Sequence, residues 1–188
     1  MYLDLEVKYN QLLMEWNRKV NLVSRKKESI FDLIDDSRLF LKHLPAGEQK
    51  NVLDLGTGGG IPGVVLAIHV PKMNFVLIDS IQKKLQALQN IVEQLGLTNV
   101  KIVCSRAEEL YKTQGYKKSF DFIVARSVAP LQDVAKWSKE LIKPGGKLLT
   151  LKGKNIKEEL VKTRNQKSVS QINIENFGDI QAVIVKFV

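Results

Sequence analysis

Near the start of the chain, Leu5, Tyr9, Leu12, Leu13, Trp16 and Val20 fall at three- and four-residue steps, the spacing of one helical face. A second amphipathic stretch, Ile30, Leu33, Ile34, Ser37, Phe40, Leu41 and Leu44, stops at Pro45 and Gly47. Together they predict a helical extension over residues 1–47. From there the pattern changes to short apolar runs separated by helical ones. Asn51–Leu55, Phe75–Asp79, Val100–Cys104, Phe120–Val124 and Leu148–Leu151 read as buried strands. Between them lie a helix opened by Pro62, one capped by Ser80 and closed before Gly96, and one over Leu131–Leu141. This alternation predicts a doubly wound, mostly parallel α/β sheet over residues 48–188, with right-handed crossovers. Beyond a short helix near Ile156–Lys162, the runs Ile172–Ile174 and Ala182–Val188 suit an antiparallel hairpin at the sheet edge. The whole reads as a single domain with an N-terminal extension packed on its core.

Composition narrows the class. The chain has 188 residues, 44% hydrophobic and 26% charged, enough for a real core and unlike a disordered segment. No apolar run approaches the roughly 20 residues of a membrane span. The start, Met1 to Glu6, lacks the basic and apolar regions of a signal peptide. One cysteine, Cys104, excludes an internal disulfide, and two histidines leave no zinc cluster. A cytoplasmic, monomeric protein without a metal site or membrane partner is expected. The net charge is +9, and eight of the nine excess charges fall after residue 100, among or beyond strands four and five. That balance suits a polyanionic partner and places it near those strands.

The most informative segment is Asp54-Leu55-Gly56-Thr57-Gly58-Gly59-Gly60-Ile61-Pro62-Gly63, directly after the first strand. Ligands of open parallel sheets bind beyond the strand carboxyl ends, and glycines there let backbone approach them closely. Gly58, Gly60 and Gly63 match the dinucleotide fingerprint, a weak signal alone. Asp54, Gly56, Gly58 and Gly60 also resemble motif I of S-adenosylmethionine-dependent methyltransferases. An acidic Asp54 would repel a pyrophosphate but could organise an ammonium group through water or the loop. Asp79, ending strand two, is placed to accept from ribose hydroxyls. Ala107 and Glu108, after strand three, could meet an adenine edge.

The set extends further along the chain. Trp16-Asn17 and Asn21-Leu22 precede the glycine loop. After it come Leu77-Ile78-Asp79-Ser80 with Lys83-Lys84, Arg106-Ala107-Glu108-Glu109, Ala125-Arg126-Ser127-Val128-Ala129-Pro130-Leu131 and Leu151-Lys152-Gly153. In this order, over about residues 16–153, the chain resembles the RsmG (GidB) family, bacterial 16S ribosomal RNA guanine-N7 methyltransferases. In place of that family's His-x-x-Asp-Ser signature, Leu33-Ile34-Asp35-Asp36-Ser37 keeps only the Asp-Ser. The resemblance implies a class I (Rossmann-like) fold and S-adenosyl-L-methionine as cofactor. It implies cofactor contacts at Gly56, Ile61, Ala107, Glu108 and Arg126. It further implies, as partner, 16S ribosomal RNA, free or in the small subunit or its precursor.

Guanine N7 carries a free lone pair at neutral pH, so no catalytic base is expected; alignment of the reactants suffices. Strand four ends in Ala125-Arg126-Ser127 and lacks the Asn/Asp-Pro-Pro-aromatic motif used on exocyclic amines. Arg126 is therefore a substrate-side candidate for guanine O6, a phosphate or the cofactor edge, and Lys152 a weaker one for phosphate. Lys112, Lys117 and Lys118, with Tyr111 and Tyr116, form a loop that could grip RNA. Cys104 reads as a small buried strand residue, and Trp16, Trp137 and His69 as packing or helix-end residues. Two alternatives stay open: a methyltransferase for another RNA base or a small molecule, and a nicotinamide-dinucleotide-binding module.

Overall fold

The computed structural model describes residues 2–188; of the expected extension, Met1 lies outside them. Seven strands form one sheet: β1 (Asn51–Leu55), β2 (Asn74–Asp79), β3 (Val100–Cys104), β4 (Phe120–Arg126), β5 (Ile142–Gly153), β6 (Val169–Phe177) and β7 (Ile180–Phe187). Their order is β3-β2-β1-β4-β5-β7-β6. The first five are parallel, and β7 and β6 add antiparallel, so the expected closing hairpin is present at the edge. The chain reverses direction across the sheet between β1 and β4, which puts the switch point above Leu55.

Alternation along the strands divides the core. Val52, Phe75, Leu77, Phe122 and Val124 face one side, under α1 (Tyr2–Asn17), α2 (Phe31–Arg38), α3 (Gly63–His69) and α4 (Gln82–Leu95). Leu53, Leu55, Ile78, Ile123 and Ala125 face the other, under α5 (Leu131–Leu141) and Ile156, which precedes α6 (Lys157–Arg164). Burying both faces is what makes these strands read as continuous apolar runs.

The extension is held by specific polar contacts as well as by packing. Glu6 of α1 is 1% exposed. It accepts from two nitrogens of Arg38 on α2, Nε and one terminal NH2 group, and its Oε1 lies 2.8 Å from His69 Nε2 at the end of α3. Trp16 Nε1 donates to Asn90 on α4 at 3.1 Å, and Tyr9 donates to the Gly59 carbonyl at 2.8 Å.

Several boundaries depart from the sequence pattern. The first helix stops at Asn17, because its side-chain oxygen turns to accept the Leu22 and Val23 amides. The second stops at Arg38, and a 3-10 turn over Leu41–His43 follows, flanked by the remaining apolar residues Phe40 and Leu44. β5 starts at Ile142, so Pro144-Gly145-Gly146 is an irregularity inside a strand, where its register against β4 shifts. Cys104 is exposed, against expectation, because β3 is the open edge of the sheet.

Candidate functional site

The strand register puts the carboxyl ends on one rim. Leu55 stands beside Ile78 and Ala125, Asp79 beside Cys104, and Arg126 beside Leu151. The glycine loop therefore rises between Asp79 and the β4–α5 connection. Gly56, Gly58 and Gly60 all have positive φ, at +69°, +54° and +100°. A Cβ on Gly56 would stand 2.8 Å from Val128 Cγ2, and one on Gly60 2.5 Å from Val64 Cγ2. Both conformation and close approach demand glycine there.

Asp54 shapes the loop from beneath. Fully buried between β1 and α3, it accepts from Thr57 Oγ1 at 2.6 Å and from the Gly63 amide at 2.9 Å, both on Oδ2. Oδ1 is buried without a partner. Burial raises the carboxyl, the Thr57 and Gly63 hydrogen bonds oppose it and the Asp79 charge adds to it, leaving a pKa of about 7. With no exposed surface, Asp54 touches the loop and lines neither of the clefts that open over this rim. Asp79 instead sits at the cleft edge. Its Oδ2 accepts the Gly58 amide at 3.0 Å and its Oδ1 the Ile81 amide at 2.9 Å. A carboxylate offers about four acceptor sites, so two remain for hydroxyl groups.

Two adjoining clefts open over this rim. The first, of about 470 Å³, is lined by Gly56, Asp79, Ala107, Glu108, Val128 and Trp137, with Ser80, Lys84, Ser105 and Arg106 beside them. The second, of about 420 Å³, lies between the glycine loop, the α1–α2 connection and the end of β4, lined by Leu22, Val23, Lys27, Leu33, Ile61 and Arg126. Gly56, Asp79, Lys84 and Ser127 border both. The residues singled out from sequence thus sort into two neighbouring spaces. Ala107 and Glu108 lie on the far side of the first, and Ile61 and Arg126 in the second.

Arg126 is not a free rim arginine. It donates to Asp36 Oδ2 at 2.8 Å and to the Leu33 carbonyl at 3.3 Å, so α2 fixes its plane while three of its five N–H donors are left over. Ser37 is turned into α2, donating to the same Leu33 carbonyl at 2.6 Å. Lys152 is committed elsewhere. Its Nζ donates to the Ala129 carbonyl at 2.7 Å and pairs with Glu159 at 3.0 Å, fastening α6 to the β4–α5 loop. Desolvation pushes the Glu159 carboxyl up, but the Leu131 amide and Lys152 outweigh it and hold it below the ordinary range.

Lys84, Ser127 and Val128 stand in the motifs quoted from sequence without an assigned cleft role, and sequence reasoning missed Trp137 as a cleft residue. Ser127 has φ +54°, unusual for a residue with a side chain, and turns the chain where the two clefts meet. Trp137 was read as packing, but is half-buried with its ring at the first cleft. Tyr116 stacks on Phe120, with ring centroids 6.0 Å apart, and lies outside both clefts.

The charge expected at the rim of strands four and five is largely paired with acids of the chain or placed elsewhere. Lys152 and Lys154 pair with Glu159 and Asp179, while Lys143 and Lys147 stand near the amino end of β5, at the opposite rim. No metal-binding group of acidic, histidine or cysteine residues occurs among the described residues, and no described helix is long and apolar enough to cross a membrane.

Comparison with known proteins agrees with this geometry. Solved S-adenosylmethionine-dependent methyltransferases share the fold at low identity. One from Aquifex aeolicus gives a TM-score of 0.67 at 21% identity, covering 89% of this chain and 97% of that one. An O-methyltransferase from Thermotoga maritima gives 0.69 at 15%, covering 94% and 71%. Sequence relatives are nearer. Ribosomal RNA small subunit methyltransferase G of Chlorobium luteolum is 46% identical over 160 residues, 84% of this chain and 65% of that protein. This chain thus spans just under two thirds of that relative. The Chlorobaculum tepidum protein of the same name is 42% identical, over 84% of this chain and 71% of its own length. The model of the rRNA small subunit methyltransferase G (GidB) family matches residues 4–185, and the chain belongs to that family.

Proposed function

We propose that this chain transfers the methyl group of S-adenosyl-L-methionine to N7 of a guanine in 16S ribosomal RNA. The observation that carries the reading is the pair of adjoining clefts over one sheet rim, one suited to an adenosyl group and the other to an acceptor base. The first cleft fits the cofactor chemically: Asp79 keeps acceptor capacity for ribose hydroxyls, and Ala107, Glu108 and Trp137 frame a flat, partly apolar space for adenine. Gly56, Gly58 and Gly60 let backbone approach the amino acid end, and Asp54 braces that loop from below. When bound, S-adenosylmethionine supplies a methyl group on a sulfonium, ready for in-line displacement.

The chain's remaining task is positioning. Gly56 and Ser127, shared by both clefts, form the boundary across which the methyl group would pass. Arg126, held by Asp36, has donors left for guanine O6 or a phosphate while leaving N7 free to attack. No proton has to be removed from N7, so no base is assigned, and the rate gain comes from alignment. Lys152 serves as a brace and not as a phosphate ligand. Residues 1–47 and 48–188 act as one domain, because the extension supplies a wall of the acceptor cleft.

Calorimetry with S-adenosylhomocysteine and with NAD, side by side, tests the cofactor assignment. Binding of the first and not of the second is expected; the reverse would replace this reading with a dinucleotide-binding one. Incubation of unmethylated small subunits with methyl-labelled S-adenosylmethionine tests the acceptor, and RNA left unlabelled would overturn it.

A further inference from the structure

The connection between α1 and α2, residues 18–30, is neither loose nor neutral. Its ends are pinned by two amides of α1. Asn17 Oδ1 accepts the Leu22 and Val23 N–H groups at 2.8 and 3.0 Å, and Asn10 Oδ1 accepts the Ile30 N–H at 2.8 Å. At the first pin, Leu22 is buried against the glycine loop, 3.2 Å from where a Cβ on Gly59 would stand. Leu22, Val23, Ser24 and Lys27 form the outer wall of the acceptor cleft. The connection is thus mounted rigidly on the element that would hold the cofactor.

Its outer side is basic. Residues 18–28 contain Arg18, Lys19, Arg25, Lys26 and Lys27 against one acid, Glu28. A groove of about 430 Å³, lined by Met14, Asn17, Arg18, Arg25, Lys27 and Glu28, runs along that side. Lys27 borders both this groove and the acceptor cleft. Lys27 is neutralised by Asp32, and Lys19 lies over the Trp16 ring. Arg18, Arg25 and Lys26 are exposed and pair with no carboxylate among the described residues. Of the cations elsewhere on the cleft rim, Arg106 is matched by Glu108, Arg126 by Asp36, Lys152 by Glu159 and Lys154 by Asp179. Lys84, which borders both clefts, has no carboxylate partner among the described residues. Apart from Lys84, unmatched positive charge near the acceptor cleft is therefore gathered on this connection, which carries three such cations, and not on strands four and five.

We infer that the α1–α2 connection is the phosphate-gripping arm of the enzyme. Arg18, Arg25 and Lys26 hold the phosphodiester backbone next to the nucleotide seated in the acceptor cleft. Guanidinium groups suit this role, since their planar fork can bond two phosphate oxygens at once. Mounted on Asn17 and Leu22, the arm keeps a fixed offset from the glycine loop, so backbone capture and base placement share one frame. The inference rests on the proposed RNA methyltransferase reading and adds which surface meets the substrate.

The test compares two triple variants of equal charge change in the full chain. Arg18→Gln/Arg25→Gln/Lys26→Gln removes the arm's unmatched charge; Lys72→Gln/Lys147→Gln/Lys186→Gln removes charge at the opposite rim. The probe is unmethylated 16S ribosomal RNA, with binding followed against salt and methyl transfer followed at saturating RNA. The arm variant should bind roughly 10- to 100-fold more weakly at about 0.1 M salt, with a log–log salt slope shallower by about 2, at ~0.7 per single-strand phosphate contact. Its S-adenosylhomocysteine affinity and its kcat at saturating RNA should match the parent, and the opposite-rim variant should bind RNA as the parent does. Equal weakening by the two variants, or none by the arm variant while the parent methylates RNA, overturns the arm alone. A parent that neither binds nor methylates the RNA overturns the arm together with the reading beneath it.

Discussion

Asp54→Asn isolates the buried carboxyl under the glycine loop. Its native pKa of about 7 lies above the unfolded value of 3.8. A raised carboxyl makes the native state bind more protons, so its contribution to stability is full below about pH 4 and disappears as pH rises through 7. Over that window the loss runs at about 1.4 kcal/mol per pH unit and reaches about 4 kcal/mol. Asparagine cannot ionise. Its oxygen can replace Oδ2 in accepting from Thr57 and Gly63, but its amide then occupies the position of Oδ1, which has no partner. That unsatisfied donor costs about 1–3 kcal/mol at every pH. Urea unfolding of both proteins from pH 4.5 to 8.5 gives the difference directly. Glu6, Asp121 and Glu159, whose lowered carboxyls lose stability as pH falls, are common to both and cancel. The variant should gain on the parent by several kcal/mol from acid to alkaline pH, with S-adenosylhomocysteine affinity unchanged. A pH-independent difference would refute the account of Asp54 as a strained carboxyl. Lost cofactor affinity in a stable variant would show that the loop needs the carboxylate itself, and not only an acceptor for Thr57 and Gly63.

Two further substitutions probe other parts of the structure. Gly56→Ala forces a side chain into φ +69° and sets a Cβ 2.8 Å from Val128 Cγ2. Together with a left-handed cost of about 1–2 kcal/mol, this should cut S-adenosylhomocysteine affinity at least ~10-fold by calorimetry. Glu6→Ala strips Arg38 and His69 of their shared partner. Because Glu6 is buried while the Arg38 side chain is 34% exposed, the loss should be about 2–3 kcal/mol in urea unfolding, below that of a fully buried pair.

Local patterns made the sheet legible. Parallel strands buried on both faces announce themselves as Val52–Leu55 or Phe75–Ile78 do, and glycines with positive φ mark the turn after β1. The edge was harder to read: β6 extends over Val169–Phe177, well beyond the apolar Ile172–Ile174, because its outward residues are polar. Pro144-Gly145-Gly146 signalled a break where β5 runs on through an irregularity. Strand-end residues such as Asp79 followed from topology. Trp137 and Val128 did not, because helix and loop residues reach the cleft only through tertiary packing. Charge was the least readable feature. A count along the chain pointed past residue 100, but it cannot tell Lys152, matched by Glu159, from Arg25, which pairs with no carboxylate among the described residues. Nor can it show that Asp36 and Arg126, ninety residues apart, form one ion pair.

Nucleoside mass spectrometry of the RNA product tests the central claim most directly. Purified protein, S-adenosylmethionine and unmethylated small-subunit RNA or particles are incubated, the RNA is digested, and every methylated nucleoside is identified. The proposed function, family membership joined to a two-cleft site with no assigned base, predicts 7-methylguanosine as the new product. A methyl group on an exocyclic amine or a pyrimidine carbon, or none in the RNA at all, would contradict it.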